Sequence, residues 1–333
     1  MNIESFCKTV WGLSYDEVQA KATKKEYSEF FIPKKSGKRQ ITYLSHDSSL
    51  FSLQENLKKY FEGQALPTCV KGFVKGENYI SYLEPHIYSV YFLRVDIKDF
   101  FPSIKKEMIE EELSQLVYFE KADDSKKVSS LIANITTYND CLPQGASTSP
   151  IMSNLVMMRL DQRILKYCQA VDVIYTRYAD DILFSSSKLD FREKKWFLKK
   201  IKYILSCKNF KLNYGKIKSG TDEISLNGYV VSKEGIRLSR ERLFDIKKVV
   251  SFSKTNRALL RSNPQLYLQQ LNGLPLKHRD LAKYPFKNIF QLSQYLTGYR
   301  SYLISFLNYC IDPSFEKTVK RLLKKIEREV LKF

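Results

Sequence analysis

The sequence predicts an α+β fold, in which a mixed part with antiparallel strands is followed by a helical C-terminal lobe. Up to about residue 232, short apolar runs rich in β-branched and aromatic residues alternate with amphipathic segments. Beyond it, apolar residues such as Leu292, Leu296 and Leu303 recur at helical spacing. The chain has 333 residues, and single cores stop growing near roughly 250–300 residues. We therefore expect two or three lobes.

The chain carries a large excess of positive charge. It has 55 Lys and Arg against 36 Asp and Glu, a formal net charge of +19, and 44% hydrophobic residues, too many for a disordered tail. Residues 233–333 hold 21 Lys and Arg against only 8 Asp and Glu. Such a basic lobe fits membrane lipid, an acidic partner or nucleic acid, and phosphate backbones are the commonest reason for it.

We expect a cytoplasmic protein with no membrane partner. No stretch approaches the roughly 18 uninterrupted apolar residues of a membrane span. The N-terminus lacks the basic-then-apolar order of a signal peptide. The six cysteines contain no C-x-x-C pair, so neither a zinc site nor a disulfide framework is indicated.

The first elements are a helical lead-in and a hairpin. Residues 1–30 are typical of helix, with Ser14 as an N-cap. The β-like runs at 30–32 and 40–44 flank a basic turn that contains Lys38 and Arg39. This turn either contacts a phosphate or is simply solvated.

The middle of the chain predicts strands that end on acids. The apolar run 90–95 ends on Asp96, and Ser103 is expected to begin an acidic helix through about residue 119. Ser149 is expected to cap another helix, and a basic helix is expected after residue 188. Two strands meet through Asp180 and Asp181, so two carboxylates are expected at a hairpin tip.

Three acids at the ends of apolar strands suggest a metal site. Adjacent buried carboxylates repel each other and need a cation. Two hard divalent ions held by carboxylates form the usual site for in-line phosphoryl displacement. In such a site Asp96 and Asp180 would bridge both ions, and Asp181 would supply the remaining oxygens or adjust the electrostatics. In the alternative, these acids lie in solvated turns and pair with Arg94 and Arg177.

A series of blocks between about residues 30 and 231 resembles those of reverse transcriptases, in the same order. Such an ordered series does not arise by chance, although a lone Tyr-x-Asp-Asp match can. The blocks are a fingers hairpin at 33–41, a second finger block at 72–73, the first palm motif at 95–102, the nucleotide-pocket motif at 142–150, the catalytic box at 178–181, a lysine-bearing block at 211–216, and a primer grip of Leu226, Asn227, Gly228 and Tyr229.

The resemblance implies a right-hand polymerase fold and RNA-directed DNA polymerase activity. The implied domains are a helical lead-in at 1–30, fingers with part of the palm at 31–94, a palm with an interleaved fingers segment at 95–232, and a basic helical thumb at 233–333. The implied cofactor is two Mg²⁺ ions, with Mn²⁺ as a substitute. Their implied ligands are Asp96, the backbone carbonyl of Ile97, Asp180 and Asp181.

The resemblance also implies a pocket for deoxynucleoside triphosphates. Lys38 and Arg39 would contact the triphosphate, and the ring of Phe101 would leave no room for a 2′-hydroxyl. Gln144 and Gly145 would approach the sugar or base. Lys216 would protonate or neutralise the pyrophosphate. Each of these residues also has a simpler interpretation. Phe100 and Phe101 would be core residues, and the Pro-Gln-Gly run would be a simple turn. Lys216 would be a surface residue.

Within the family, the chain resembles retron reverse transcriptases most, through its compact length and the runs 99–103 and 177–181. By resemblance, such enzymes copy part of a partner noncoding RNA, start from its 2′-hydroxyl, and make branched RNA–DNA used in defence against phage. Two elements diverge. The Asn-Ala-x-x-His element keeps only His86, and the Val-Thr-Gly element keeps only Gly228. Another defence-associated reverse transcriptase and a group II intron-like enzyme are the alternatives.

The partners implied are a structured RNA with its cDNA, and an accessory effector protein. The last helix is expected to offer the RNA its basic face. A non-catalytic RNA-binding scaffold and an RNA-dependent RNA polymerase are more distant rivals, since all three acids are present and an aromatic stands at position 101. The predicted thumb contacts are Lys317, Lys320, Arg321, Lys324, Lys325 and Arg328.

Overall fold

The computed structural model describes residues 2–23, 26–33, 38–117, 119, 121–277 and 281–330. The chain divides into two compact units. The first comprises Met1–Pro85 and Leu93–Ser219, and the second comprises His86–Phe92 and Gly220–Phe333. The four domains expected from the sequence stay predictions.

The part of the chain up to β6 mixes helices and strands. The helices are α1 (Ile3–Trp11), α2 (Tyr15–Ala22), α3 (Ser49–Phe61), α4 (Tyr79–Leu83), α5 (Phe100–Ser103), α6 (Lys106–Leu116), α7 (Ala122–Thr136), α8 (Ser149–Ala170) and α9 (Lys195–Ser206). The strands are β1 (Tyr27–Pro33), β2 (Lys38–Leu44), β3 (Tyr91–Asp96), β4 (Ile174–Tyr178), β5 (Asp181–Ser186) and β6 (Lys218–Thr221).

The rest of the chain is a small sheet followed by helices. The strands are β7 (Glu223–Leu226), β8 (Tyr229–Ser232) and β9 (Gly235–Leu238). The helices are α10 (Arg240–Thr255), α11 (Arg257–Ser262), α12 (Pro264–Asn272), α13 (Ile289–Leu307) and α14 (Pro313–Val330). The change from mixed structure to helix that the sequence predicts is confirmed.

The strands form three sheets, whose orders are β1-β2, β4-β5-β3-β6 and β7-β8-β9. The hairpins β1–β2, β4–β5, β7–β8 and β8–β9 are antiparallel. Every residue of β5 is buried, the polar Asp181, Ser185 and Ser186 as well as the apolar residues 182–184. The predicted antiparallel palm-type sheet is therefore present, with β3 beside β5 in its interior.

Local sequence explains most helix starts, with two differences. Ser14 and Glu17 form a reciprocal capping box at α2, as predicted for Ser14. Ser103 does not begin the acidic helix, because it ends α5 and Ile104 is extended before α6 starts at Lys106. Ser149 is the first residue of α8 and not its cap, since its hydroxyl donates to the Pro143 carbonyl at 2.7 Å.

The helix α14 is amphipathic in the way its sequence predicts. Val319, Leu322 and Ile326 are buried. The Asp312 carboxylate accepts from the amides of Ser314 and Phe315 at its N-terminus. The six predicted thumb residues are all exposed on the other face. No helix in the described ranges is long and apolar enough to cross a membrane.

Candidate active site

The catalytic box forms the turn of the β4–β5 hairpin. Tyr178 pairs with Asp181, so Ala179 and Asp180 are the two central residues. Ala179 has φ +57°, a left-handed conformation that costs a non-glycine residue free energy. A positive φ at the first central position is the pattern of a type II′ turn, which normally places glycine there. An alanine in this position needs support from its surroundings.

A fully buried ion pair provides part of that support. Arg177 on β4 and Asp161 on α8 are both 0% exposed. The Arg177 guanidinium donates to both Asp161 oxygens, at 2.8 Å and 2.7 Å. Its third nitrogen, Nη1, donates to the Ala179 carbonyl at 3.1 Å. A buried cation therefore holds the strained peptide of the turn, and we name Arg177, Asp161 and Asn154 the buried clamp.

The finger block at Gly72 is attached to the same turn. A Cβ on Gly72 would lie 2.5 Å from the Ala179 amide nitrogen, so only glycine allows this approach. The Asn154 amide donates to the Gly72 carbonyl at 2.9 Å and accepts from Arg177 at 3.1 Å. The amides of Lys71 and Gly72 donate to the Arg177 carbonyl at 2.8 and 3.3 Å. The clamp thus joins two blocks that are about a hundred residues apart.

The three predicted acids are brought together. Asp96 ends β3 and is 2% exposed. The Ile97 amide donates to the Asp180 carbonyl at 3.0 Å, which places the end of β3 against the turn. Burial raises the pKa of Asp180 above its ordinary value, and the charges of Asp181 and Asp96 raise it further. These carboxylates are close enough to repel one another.

Two basic side chains neutralise part of this charge. Lys216 Nζ lies 2.7 Å from Asp96 Oδ2. Arg94 Nη2 lies 2.5 Å from Asp181 Oδ1, and both groups are mostly buried. Of the two arginine pairings expected in the alternative reading, Arg94 does pair with a catalytic-box acid, whereas Arg177 pairs with Asp161.

The acids fit a cation only in part. Within the described ranges, no group of three or more His, Cys, Asp or Glu side chains is arranged to hold a metal ion. Asp181 is engaged by Arg94, which withdraws it from such a group. Asp96 and Asp180 do fit, because they are hard oxygen donors that repel each other, and Asp96 Oδ1 is buried with no hydrogen-bond partner among the described residues. The metal roles of Asp96, Ile97, Asp180 and Asp181 stay predictions.

The nucleotide-pocket motif packs on the fingers hairpin. The Thr42 amide on β2 donates to the Gln144 carbonyl at 2.9 Å. Gly145 has φ +130°, and a Cβ there would lie 2.8 Å from Ile41 Cγ2 and from the Thr42 carbonyl oxygen. Gly145 is therefore required for this close approach of the motif to β2.

The other predicted pocket residues are placed as follows. Lys38 and Arg39 are exposed at the start of β2, and the hairpin turn at 34–37 lies outside the described residues. Phe101 is half-buried, and its ring centroid is 6.2 Å from that of Phe73. Phe100 is buried, as predicted for a core residue. The pocket roles of Lys38, Arg39, Phe101, Gln144, Gly145 and Lys216 stay predictions.

The predicted primer grip is a tight turn in the second unit. Leu226 pairs with Tyr229, and Asn227 and Gly228 have φ of +46° and +87°. Two positive φ values are the pattern of a type I′ turn, for which Asn-Gly is the favoured pair. Arg242 packs behind it, since a Cβ on Gly228 would lie 3.0 Å from Arg242 Cδ. The Arg242 guanidinium carbon lies 5.3 Å from the centre of the Tyr302 ring.

Sequence reasoning missed the buried clamp. The helical pattern predicts an inner side of α8 with Ile151, Leu155, Met158 and Leu165; Leu155 is buried, whereas the other three are only half-buried. The buried side of this helix follows positions 154, 157, 161, 164 and 168. Polar residues at two of these positions, Asn154 and Asp161, were the available signal. His86, retained from the divergent element, is fully buried, and burial lowers its pKa to about 3.

The chain is similar in sequence to known retron reverse transcriptases. The chain is 30% identical to the retron Ec86 reverse transcriptase of Escherichia coli over 181 residues, which are 53% of this chain and 53% of that protein. It thus spans about half the length of this relative. The retron Ec73 reverse transcriptase of Escherichia coli is 28% identical over 306 residues, 87% of this chain and 84% of that protein.

A solved structure of telomerase from Candida albicans, in complex with a fragment of telomeric RNA, covers 92% of this chain and 64% of its own, with a TM-score of 0.47 and 13% identity. The decisive match is to the model of the family described as reverse transcriptase (RNA-dependent DNA polymerase), over residues 32–231. Its span includes the buried clamp and all three acids. The mixed helices and antiparallel sheets fit the right-hand polymerase fold. The chain therefore belongs to the reverse transcriptase family.

Proposed function

We propose that this protein is an RNA-directed DNA polymerase of retron type. One observation carries the proposal. Asp96 ends β3 and Asp180 lies in the β4–β5 turn, and the Ile97 amide donates to the Asp180 carbonyl inside the span that matches the family. Burial and the nearby charges of Asp181 and Asp96 raise the pKa of Asp180, so this pair of acids favours a bound cation. Its substrates are deoxynucleoside triphosphates and a structured noncoding RNA that serves as template, and its product is cDNA.

The chain's own residues suggest how the reaction proceeds. Asp96 and Asp180 would hold Mg²⁺, or Mn²⁺ in its place, and the bound ions would activate the attacking hydroxyl and stabilise the leaving pyrophosphate. Lys216 has a half-exposed side chain, so its ammonium can leave Asp96 and neutralise the pyrophosphate. Phe101 would exclude ribonucleotides by filling the space of a 2′-hydroxyl.

Primer extension on an RNA template tests the assignment of the acids. Asp96→Asn and Asp180→Asn should each lower the rate of DNA synthesis by about a thousandfold or more, because each removes a charge that holds the cation. Asp172→Asn is the matched control, since Asp172 also lies in a turn with positive φ but its side chain is 76% exposed. Synthesis by either active-site variant at the wild-type rate would contradict the assignment.

We further propose that the product is branched RNA–DNA made in the cytoplasm, and that the system acts in defence against phage with an accessory effector protein. The similarity to retron enzymes supports this step. The test is purification of the protein with its native flanking DNA locus, followed by RNase treatment and sizing of the bound nucleic acid. A branched molecule is expected. An unbranched DNA would favour another defence-associated or group II intron-like reverse transcriptase.

A further inference from the structure

The helix α9 presents an exposed surface made of lysines and aromatic rings. Its inner side is buried through Phe197, Ile201 and Ile204. Its outer side carries lysines and two large exposed rings, and no acidic residue occurs between 195 and 206. We name this outer side, together with the neighbouring Tyr214, the α9 surface. It comprises Lys195, Trp196, Lys199, Lys200, Lys202, Tyr203 and Tyr214.

The charges of this surface are not neutralised by the protein. Within the described part of the chain, none of its four lysines has an acidic side chain within ion-pair distance. By contrast, Lys208, just beyond α9, lies 2.6 Å from Glu111 and 2.9 Å from Glu112. Four unpaired ammonium groups on one helix create a local positive potential that attracts an anionic partner.

The aromatic side chains of this surface are largely exposed to solvent. Trp196 is 45% exposed, and Tyr203 and Tyr214 are each 60% exposed. Lysine ammonium groups lie near the rings, with Lys200 Nζ 5.4 Å from the centre of Tyr203 and Lys202 Nζ 5.8 Å from that of Tyr214. Interleaved lysines and exposed rings are the combination that binds phosphates and stacks unpaired bases.

The surface is connected to the active site. Tyr214 begins the short turn Tyr214–Lys216, whose last residue reaches Asp96 with its ammonium group. The Asn213 amide just before it donates to the Asp96 carbonyl at 2.8 Å. Residues 213–216 thus connect the α9 surface to Asp96 within the first unit.

We propose that the α9 surface binds a single-stranded or looped part of the RNA partner outside the segment that is copied. The lysines would contact phosphates, and Trp196 and Tyr203 would stack on bases. The choice of RNA over a lipid surface rests on burial, because a membrane-bound helix inserts its apolar side, and that side of α9 is already packed inside the protein. The inference rests on the proposed function for the identity of the partner as RNA.

The experiment measures binding and polymerisation separately. One variant carries Lys199→Gln, Lys200→Gln and Lys202→Gln, and a second carries Trp196→Ala and Tyr203→Ala. The matched control carries Lys8→Gln, Lys21→Gln and Lys126→Gln, which removes three exposed lysines of the same unit from other helices. The probe is an RNA hairpin with a loop of about ten nucleotides, and its Kd is measured at several salt concentrations.

The lysine variant should bind this probe at least tenfold more weakly than the control, and the slope of log Kd against log salt should fall by about 0.7 for each phosphate that is no longer bound. The ring variant should also bind about tenfold more weakly, with the slope unchanged. Both should extend a short DNA primer annealed to an RNA template at the wild-type rate.

Two results would overturn the proposal. One is a lysine variant whose Kd and salt slope equal those of the control variant. The other is unchanged RNA binding together with a loss of binding to vesicles of phosphatidylserine and phosphatidylcholine, which would make α9 a lipid surface. A wild-type protein that binds the hairpin but extends no primer would instead contradict the polymerase assignment, so the two failures are distinguishable.

Discussion

Two-residue turns close both the β4–β5 and the β7–β8 hairpins, but only the second uses the residues that such turns favour. Asn227 and Gly228 adopt the positive φ values of a type I′ turn at little cost. In the other hairpin, the left-handed position is held by Ala179. A residue in such a region costs of order 1–3 kcal/mol, and persists when its surroundings fix it.

The difference lies in what fixes each turn. The turn at 227–228 follows from its own sequence, and Arg242 only packs behind it. The turn at 179–180 is fixed by Arg177, Asp161 and the backbone of Gly72, which come from β4, α8 and the finger block. The position of Asp180 therefore depends on distant parts of the first unit. Four predictions test this contrast.

The largest expected effect is that of Arg177→Met. It leaves the Asp161 carboxylate buried without its cation and with the Tyr175 hydroxyl as its remaining donor, which should lower the free energy of unfolding by about 3–5 kcal/mol and abolish DNA synthesis. Arg242→Met, the matched change behind the second turn, should cost about 1 kcal/mol, because that side chain is only half-buried. Urea unfolding gives both values, and equal losses would show that the two turns are supported alike.

A double variant separates stability from positioning. Arg177→Met with Asp161→Leu replaces the buried ion pair by apolar groups, which is often neutral for stability. It should regain part of the lost free energy of unfolding, since the buried Tyr175 hydroxyl loses its acceptor. It should regain little DNA synthesis, because the hydrogen bond to the Ala179 carbonyl is still missing. Wild-type synthesis by this variant would show that the turn does not need the clamp.

A smaller effect is expected from exchanging glycine and alanine in the two turns. Gly228→Ala should lower the free energy of unfolding by about 1–2 kcal/mol, because its φ is +87° and the new Cβ would lie 3.0 Å from Arg242 Cδ. Ala179→Gly should change it by less than about 1 kcal/mol, since relief of strain offsets the entropy of glycine. Thermal unfolding of both variants checks this asymmetry, which an equal loss would contradict.

The same contrast explains what the sequence could predict. An Asn-Gly pair is by itself typical of a tight turn. The order of the motifs led to the hypothesis that Asp96 and Asp180 share one metal site. The supports of Ala179 were missed, because the predicted inner side of α8 differs from the side that carries Asp161 and Asn154. The pairing of Arg94 with Asp181 belonged only to the alternative interpretation of the acids, since it spans 87 residues and depends on the register of β3 beside β5. Local pattern does not decide between such long-range pairings.

The smallest expected effect is an increase in the free energy of unfolding, whereas the substitutions above are expected to lower it or to leave it nearly unchanged. The first turn concentrates negative charge, whereas the second, from Leu226 to Tyr229, contains no acid. Because burial and the charges of Asp181 and Asp96 raise the pKa of Asp180, its ionised form destabilises the folded protein when no cation is bound. Asp180→Asn should therefore raise the free energy of unfolding by about 0.5–1 kcal/mol at neutral pH in a chelating buffer, although it abolishes synthesis.

Millimolar Mg²⁺ should stabilise the wild type and leave this variant unchanged. Asp172→Asn, with its exposed carboxylate, should show no gain under either condition. A variant at position 180 that is less stable than the wild type in the chelating buffer would mean that Arg94 and Lys216 already balance the charge of this turn.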